Sequence, residues 1–450
     1  MKTILITVDA LRADHLSQYG YHRKTLPALD LLEGESVRFE NAFANGPYTR
    51  ISVPSIHTGQ YLGYEIIQNS PTIASILGDN GVVTAGFGTQ AGLNKVDVEG
   101  DLIFDTFIDF GQDQNKNKFE QNRPYRDKVA EQIAQSQLLK NDMIYSLAKY
   151  IHNKLPLSIG NPVPTAGYTS AETVTENAIE WMEAHQNEEY FLWLHYMEAH
   201  RPYGVHDASH KYIEGTVNVE EANAIARRAD IRPNSLTKDE QNMLINLYDS
   251  DIRYGSKHIS KLFRYLKNEE IWDETNIIFT SDHGEGFGEH EHYFHGYQPY
   301  EELIHVPLIV KGPTSDEYDN IVKQRELVDL APTILDYHGV DFDDKHFDGH
   351  NLFDEKERRV IAIGSQMNDG SVVAGRWNKW KYIHIEGEEE LYDLSADPQE
   401  KESIATNYPK VVQNFKMAIP KRLFNQKAEE IQVPDDHQER KQLKALGYLK

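Results

Sequence analysis

Ile277-Ile278-Phe279-Thr280-Ser281-Asp282-His283-Gly284 is a short apolar, β-branched run that stops at an acid, a histidine and a glycine. A run of that length and composition reads as a buried strand. In α/β proteins, ligands gather beyond the carboxyl ends of parallel strands. An Asp-His pair delivered there offers a hard oxygen and an imidazole nitrogen to one metal ion. A strand followed by a polar turn is the simpler alternative. The N-terminus repeats the design: Thr3–Val8 is a second apolar run, and Asp9 follows it directly. Asp9 is costly to bury unless paired or metal-bound. As a helix cap before Leu11 it would do ordinary structural work.

Strand and helix signals alternate outward from these two runs. Leu26–Leu32 has helical spacing, and Thr72 after Pro71 is placed to cap a helix through Leu77. Val82–Gly86 reads as a strand and Ser170–His185 as a helix with one apolar face. Tyr190–Leu194 is a strand ending at His195. Leu244–Leu266 is a long helix, and Ile277–Ser281 and Val306–Val310 are strands. The alternation predicts a doubly wound, mostly parallel α/β sheet with helices on both faces. Arg376–Ile385 and Glu390–Leu394 read as hairpin material in a smaller C-terminal α+β part, followed by two short helices. The expected division is a catalytic domain over 1–355 and a C-terminal subdomain over 356–450. An insertion rich in Asn, Gln, Lys, Pro and Gly occupies 111–165.

Composition narrows the function classes. The 450 residues are 39% hydrophobic and 10% aromatic, values of a globular chain. A net charge of −25, from 71 acidic and 46 basic side chains, argues against nucleic acid or a basic membrane patch as partner. The absence of cysteine removes disulfides, thiolate metal sites and cysteine nucleophiles. No stretch reaches the roughly 18 apolar residues of a membrane span, and the run before Asp9 is too short for a signal peptide. A cytoplasmic protein is the expectation.

Three further segments carry candidate chemistry. Asn45–Gly59 (NGPYTRISVPSIHTG) reads as a loop holding the hydroxyls Thr49, Ser52, Ser55 and Thr58. A hydroxyl aimed at a metal becomes a nucleophile; the same residues also suit a helix entry with several caps. Arg50 stands beside Thr49, placed to hold an anionic ester. His195–Tyr203 (HYMEAHRPY) follows a strand, and a histidine there can protonate a leaving oxygen. In Gly284–Gly296 (GEGFGEHEHYFHG), His295 is the better site candidate, and His290 and His292 read as solvent-facing.

Together and in this order, these segments resemble the sulfatase family of the alkaline-phosphatase superfamily. Val8–Tyr21 (VDALRADHLSQYGY) is similar to the family's opening strand and metal acid. NGPYTRISVPSIHTG is similar to its nucleophile segment, FLWLHYMEAHRPY to its His-x-Pro-Tyr segment, and TSDHGEGFGEH to its second metal segment. LVDLAPTILDYHGV, KYIHIEGEEELYDLSADPQE and LKALGYL are similar to its C-terminal landmarks. The resemblance implies one divalent metal (Ca, Mn, Zn or Mg) held by Asp9, Thr49, Asp282 and His283. It places Thr49 at the nucleophile position, His200 at the transferred group or leaving oxygen, and His295 where many sulfatases carry lysine. A second metal would have His195, His200 and His295 as candidate ligands.

The departures decide the chemistry. The family's nucleophile is a formylglycine made from Cys or Ser in a Cys/Ser-x-Pro-x-Arg motif. Here the matching residues are Thr49-Arg50-Ile51-Ser52-Val53, so no formylglycine is expected. Ala10 replaces the second of the usual paired acids. A threonine alkoxide suits phosphorus, because water can hydrolyse the phospho-enzyme; a sulfo-threonine lacks formylglycine's hemiacetal exit. The expectation is a hydrolase of sulfate or phosphate/phosphonate esters, phosphoesters favoured, acting on a small anionic ester or a glycan- or lipid-linked one. Transfer of a phospho-group to a glycan or lipid, and an inactive binding homologue, are the alternatives.

Overall fold

The computed structural model describes residues 1–61, 70–88, 104–110, 168–206, 211–213, 218–314, 320–355, 360–361, 365–367, 370–385 and 387–424. The insertion at 111–165 and the LKALGYL landmark lie outside these residues.

The described residues hold an eight-stranded sheet. Its strands are β1 (Lys2–Val8), β2 (Val37–Phe39), β3 (Val83–Gly88), β4 (Thr106–Asp109), β5 (Tyr190–Tyr196), β6 (Thr275–Thr280), β7 (Leu308–Lys311) and β8 (Asn320–Ile321). The order is β8-β2-β7-β6-β1-β5-β3-β4. Neighbours from β6 through β4 run parallel, and β7 is antiparallel to both β6 and β2. The doubly wound expectation holds.

Alternation along β1 explains why both faces are covered. Ile4, Ile6 and Val8 join a core with helices α3 (Ala171–Ala184) and α5 (Lys238–Asn268). Leu5 points to the opposite core, packed by α1 (Thr49–Thr58) and α2 (Ile73–Asp79). Helix α4 (Val219–Ile231) also packs on the first face. Each fully buried aliphatic side chain contributes about 1.5–3 kcal/mol. A strand apolar on both faces therefore has only a central place in the sheet.

Local signals fell where the chemistry required. Thr72 caps α2 in a reciprocal box with Ser75, and Ser170 accepts from Thr173 N at the start of α3. Pro27–Leu32 is a 3₁₀ helix rather than an α-helix. The apolar run at 306–310 is split, because Pro307 cannot donate to the ladder. Asp9 caps nothing: the next helical turn, Ala13–His15, has Arg12 at its N-cap. The Asn45–Gly59 segment is helical from Thr49, which corrects the loop reading and favours the helix entry. A smaller five-stranded antiparallel sheet, Val360–Ile361, Ser365–Met367, Gly370–Trp377, Trp380–Ile385 and Glu388–Asp393, forms the C-terminal part.

Register sets the site. Thr7 faces His195 on β5 and Thr280 on β6, so Asp9 and Asp282 emerge at the same level. Ser281 ties the two ends, its Oγ reaching Val8 O at 2.7 Å and taking Leu11 N at 2.9 Å. Gly284 then runs against another backbone: a Cβ there would sit 2.0 Å from Glu302 O. Gly284→Ala should therefore cost about 3 kcal/mol, by forced overpacking. A urea midpoint equal to wild type would show that this approach is not required.

Candidate active site

Four segments converge at the carboxyl end of the central strands. Asp9 is 2% exposed and Asp282 and His283 are fully buried. Asp282 Oδ1 accepts from Ala10 N at 3.2 Å and His283 N at 3.0 Å. The amide of Ala10, held at φ 60°, thus serves the acid on the neighbouring strand. His283 Nδ1 pairs with Gly284 O at 2.8 Å, which makes Nδ1 the protonated nitrogen and turns Nε2 inward. That Nε2 lies 3.3 Å from Asp9 Oδ1 and 3.5 Å from Asp282 Oδ2.

Thr49 completes the group. It is the first residue of α1, and its Oγ1 sits 3.1 Å from His283 Nε2. Of the other hydroxyls in that segment, Ser55 and Thr58 bond to helix carbonyls at 2.9 and 2.8 Å. Arg50 follows on α1, half-buried. A helix N-terminus favours negative charge on a nearby oxygen.

His195 joins this cluster. It lies within β5, one residue before the strand's end. Its Nδ1 meets Thr7 Oγ1 at 2.8 Å, and its Nε2 lies 3.4 Å from Asp9 Oδ2. Asp9, His195 and Asp282 each present a ligand atom, all within 4.8 Å of one another. The signal in the sequence was the strand-end position; the pairing with Thr7 depended on β1–β5 register.

These residues fit a cation. Asp9 Oδ1 and Asp282 Oδ2 are buried oxygens without a hydrogen bond. Orphaned acceptors of this kind cost about 1–3 kcal/mol each, more when charged. Burial opposes ionisation of Asp9, but His200, His195 and His283 hold its carboxyl well below the usual range. Burial and the Asp9 charge push Asp282 up. Burial also opposes charging of His283, yet Asp282 and Asp9 retain its proton and lift it to about 9. A cation held by these residues would take the place of that proton and serve both orphaned oxygens.

His200 and His295 border the group. Their rings are 4.9 Å apart, and His295 is 4.6 Å from the His283 ring. His200 Nδ1 pairs with Arg201 O at 2.5 Å. Burial lowers His200 to about 4 and His295 well below its ordinary value. Both therefore rest as neutral imidazoles. His290 and His292 are not solvent-facing: both are half-buried. His290 pairs with Glu302 Oε1 at 2.8 Å and Glu400 O at 3.2 Å, and stacks on Tyr300. It docks the loop that carries His295 against the C-terminal part.

Residues 2–340 match the family model described as Sulfatase. The chain belongs to the sulfatase family. The family is one of ester hydrolases. Sulfatase-family relatives include chicken (Gallus gallus) arylsulfatase K, 30% identical over 198 residues, covering 40% of this chain and 37% of that protein. The choline-sulfatase of Rhizobium meliloti is 29% identical over 169 residues, covering 36% of this chain and 33% of that protein. The alignments thus span about a third of those relatives' length. The phosphonate monoester hydrolase of Agrobacterium radiobacter has the same fold, with TM-score 0.66, 20% identity, and 93% and 94% of the two chains covered. The Silicibacter pomeroyi phosphonate monoester hydrolase aligns with TM-score 0.59 and 17% identity over 93% and 94% of the chains. No helix among the described residues is long and apolar enough to cross a membrane.

Metal addition should stabilise this sulfatase-family fold. Stripped protein titrated with Mn²⁺ to about 100 times its dissociation constant should gain about 2.7 kcal/mol. Asp282→Asn should abolish the rise in melting temperature. An equal rise in that variant would place the cation elsewhere.

Proposed function

We propose that this protein is a metal-dependent ester hydrolase whose nucleophile is Thr49. The observation that carries the reading is the 3.1 Å contact between Thr49 Oγ1 and His283 Nε2, beside the orphaned oxygens of Asp9 and Asp282. Asp9, Asp282, His283 and the Thr49 hydroxyl would hold the cation, with His195 Nε2 as a further ligand. A divalent ion bound there supplies positive charge that makes Thr49 easier to ionise. Carboxylate, imidazole and hydroxyl donors suit Mn, Zn, Mg or Ca.

Thr49 Oγ1 attacks the phosphorus or sulfur of the bound ester in line with the leaving oxygen. The N-terminus of α1 favours the charge gathering there. Arg50 offsets charge on the equatorial oxygens, and His295 does so once its Nε2 has taken a proton. His200, neutral at rest with its Nδ1 proton held on Arg201 O, takes the proton that leaves Thr49 on Nε2 and returns it to the leaving oxygen. Water then releases the group from Thr49.

A phosphate or phosphonate ester is the favoured substrate class. Water hydrolyses a phosphothreonine at phosphorus, whereas sulfothreonine has no hemiacetal route to expel sulfate. The fold shared with phosphonate monoester hydrolases is compatible with this preference. Thr49→Ala should lower kcat on aryl phosphate and phosphonate monoesters on the order of 10³-fold or more, with metal retained. Thr49→Ser should keep measurable turnover. Wild-type turnover in Thr49→Ala, on phosphate and sulfate esters alike, would remove Thr49 from the chemistry.

A further inference from the structure

Glu285 is a fully buried carboxylate two residues beyond His283, with no part in the chemistry described so far. Both of its oxygens are engaged. Oε2 accepts the Tyr203 hydroxyl at 2.5 Å, and Oε1 meets His295 Nδ1 at 3.0 Å. The pairing follows from local register. Gly286–Phe287 and Tyr293–Phe294 form a small antiparallel ladder with Gly286 opposite Phe294. The next pair outward is Glu285 and His295. Phe294 is held at φ 66°, a conformation a bulky residue keeps only when its surroundings over-determine it. Tyr203 belongs to the segment after β5, so one carboxylate joins three separate stretches of chain.

We propose that Glu285 is a positioning residue that acts through His295. A carboxylate only accepts hydrogen bonds, so the His295 proton facing it sits on Nδ1. Nε2, with its lone pair, is then the ring atom available to a bound ester. Any proton His295 gives to or takes from that ester passes through Nε2. The Tyr203 hydroxyl holds the second oxygen and prevents the carboxylate from turning. A histidine lacking this partner would divide between two tautomers, one of which presents the wrong nitrogen. The proposal rests on the ester-hydrolase reading of the Asp9–Asp282–Thr49 centre.

The test is a double-mutant cycle on the metal-loaded full chain, with p-nitrophenyl phosphate and p-nitrophenyl phenylphosphonate as probes. Glu285→Leu should lower kcat on the order of 10²-fold, with KM and metal content near wild type. Glu285→Gln keeps an oxygen for Nδ1–H, so its loss should be about tenfold or less. In the His295→Ala background, Glu285→Leu should change kcat by no more than about twofold, because the residue it positions is gone. Losses that multiply across the two sites would overturn the proposal. NMR of isotope-labelled histidine gives an independent reading. His295 should be the Nδ1–H tautomer in wild type and a mixture in Glu285→Leu; an Nε2–H tautomer in wild type overturns the proposal. If wild-type protein turns over neither ester, the hydrolase reading fails, and the tautomer still decides what Glu285 does.

Discussion

Asp9 and Asp282 are two buried carboxylates at the same level of adjacent strands, each with an oxygen lacking a hydrogen bond. Two such charges in a low-dielectric interior repel strongly. Their opposed shifts, Asp9 down and Asp282 up, express that conflict. A positive charge between them resolves it. His283 holds that charge as a proton, and a divalent cation bound there would supply it in its place. The register of β1 with β6, the inward Nε2 of His283 and the approach of α1 all converge on this pair.

Much of this was legible in the sequence, for a physical reason. Runs such as Thr3–Val8 and Ile277–Ser281 are apolar on both faces, so they had to be central strands, and each ended at its acid. The cap Thr72 was readable because an N-cap is a local interaction. What escaped depended on contacts distant in sequence. The place of His195 was set by its register with Thr7, and that of His290 by packing against Glu400. Glu285 was hidden differently. Its partner lies only ten residues away, but the ladder between them is two residues per strand, too short for a periodic signal. Thr49 was singled out within a loop, while the structure makes it the first residue of a helix. That difference matters, because a helix N-terminus adds favourable electrostatics that a loop does not provide.

Family membership and the proposed nucleophile pull toward different substrates. The sulfatase fold supplies the scaffold, but Thr49 cannot form the aldehyde hydrate on which formylglycine chemistry depends. Ala10 removes one acid, and its backbone amide serves Asp282 instead. His195 stands close enough to Asp9 to restore a donor to the cluster. On the proposed chemistry the site would be organised around a simple alkoxide nucleophile, which suits phosphorus better than sulfur.

The proposed chemistry passes the transferred group through Thr49. The most direct measurement is mass spectrometry of metal-loaded protein, acid-quenched during turnover of a slow aryl phosphate and digested to peptides. Phosphate should appear on Thr49, absent without metal and absent in Thr49→Ala. Phosphate on another side chain during productive turnover, metal-dependent and preserved in Thr49→Ala, would contradict it.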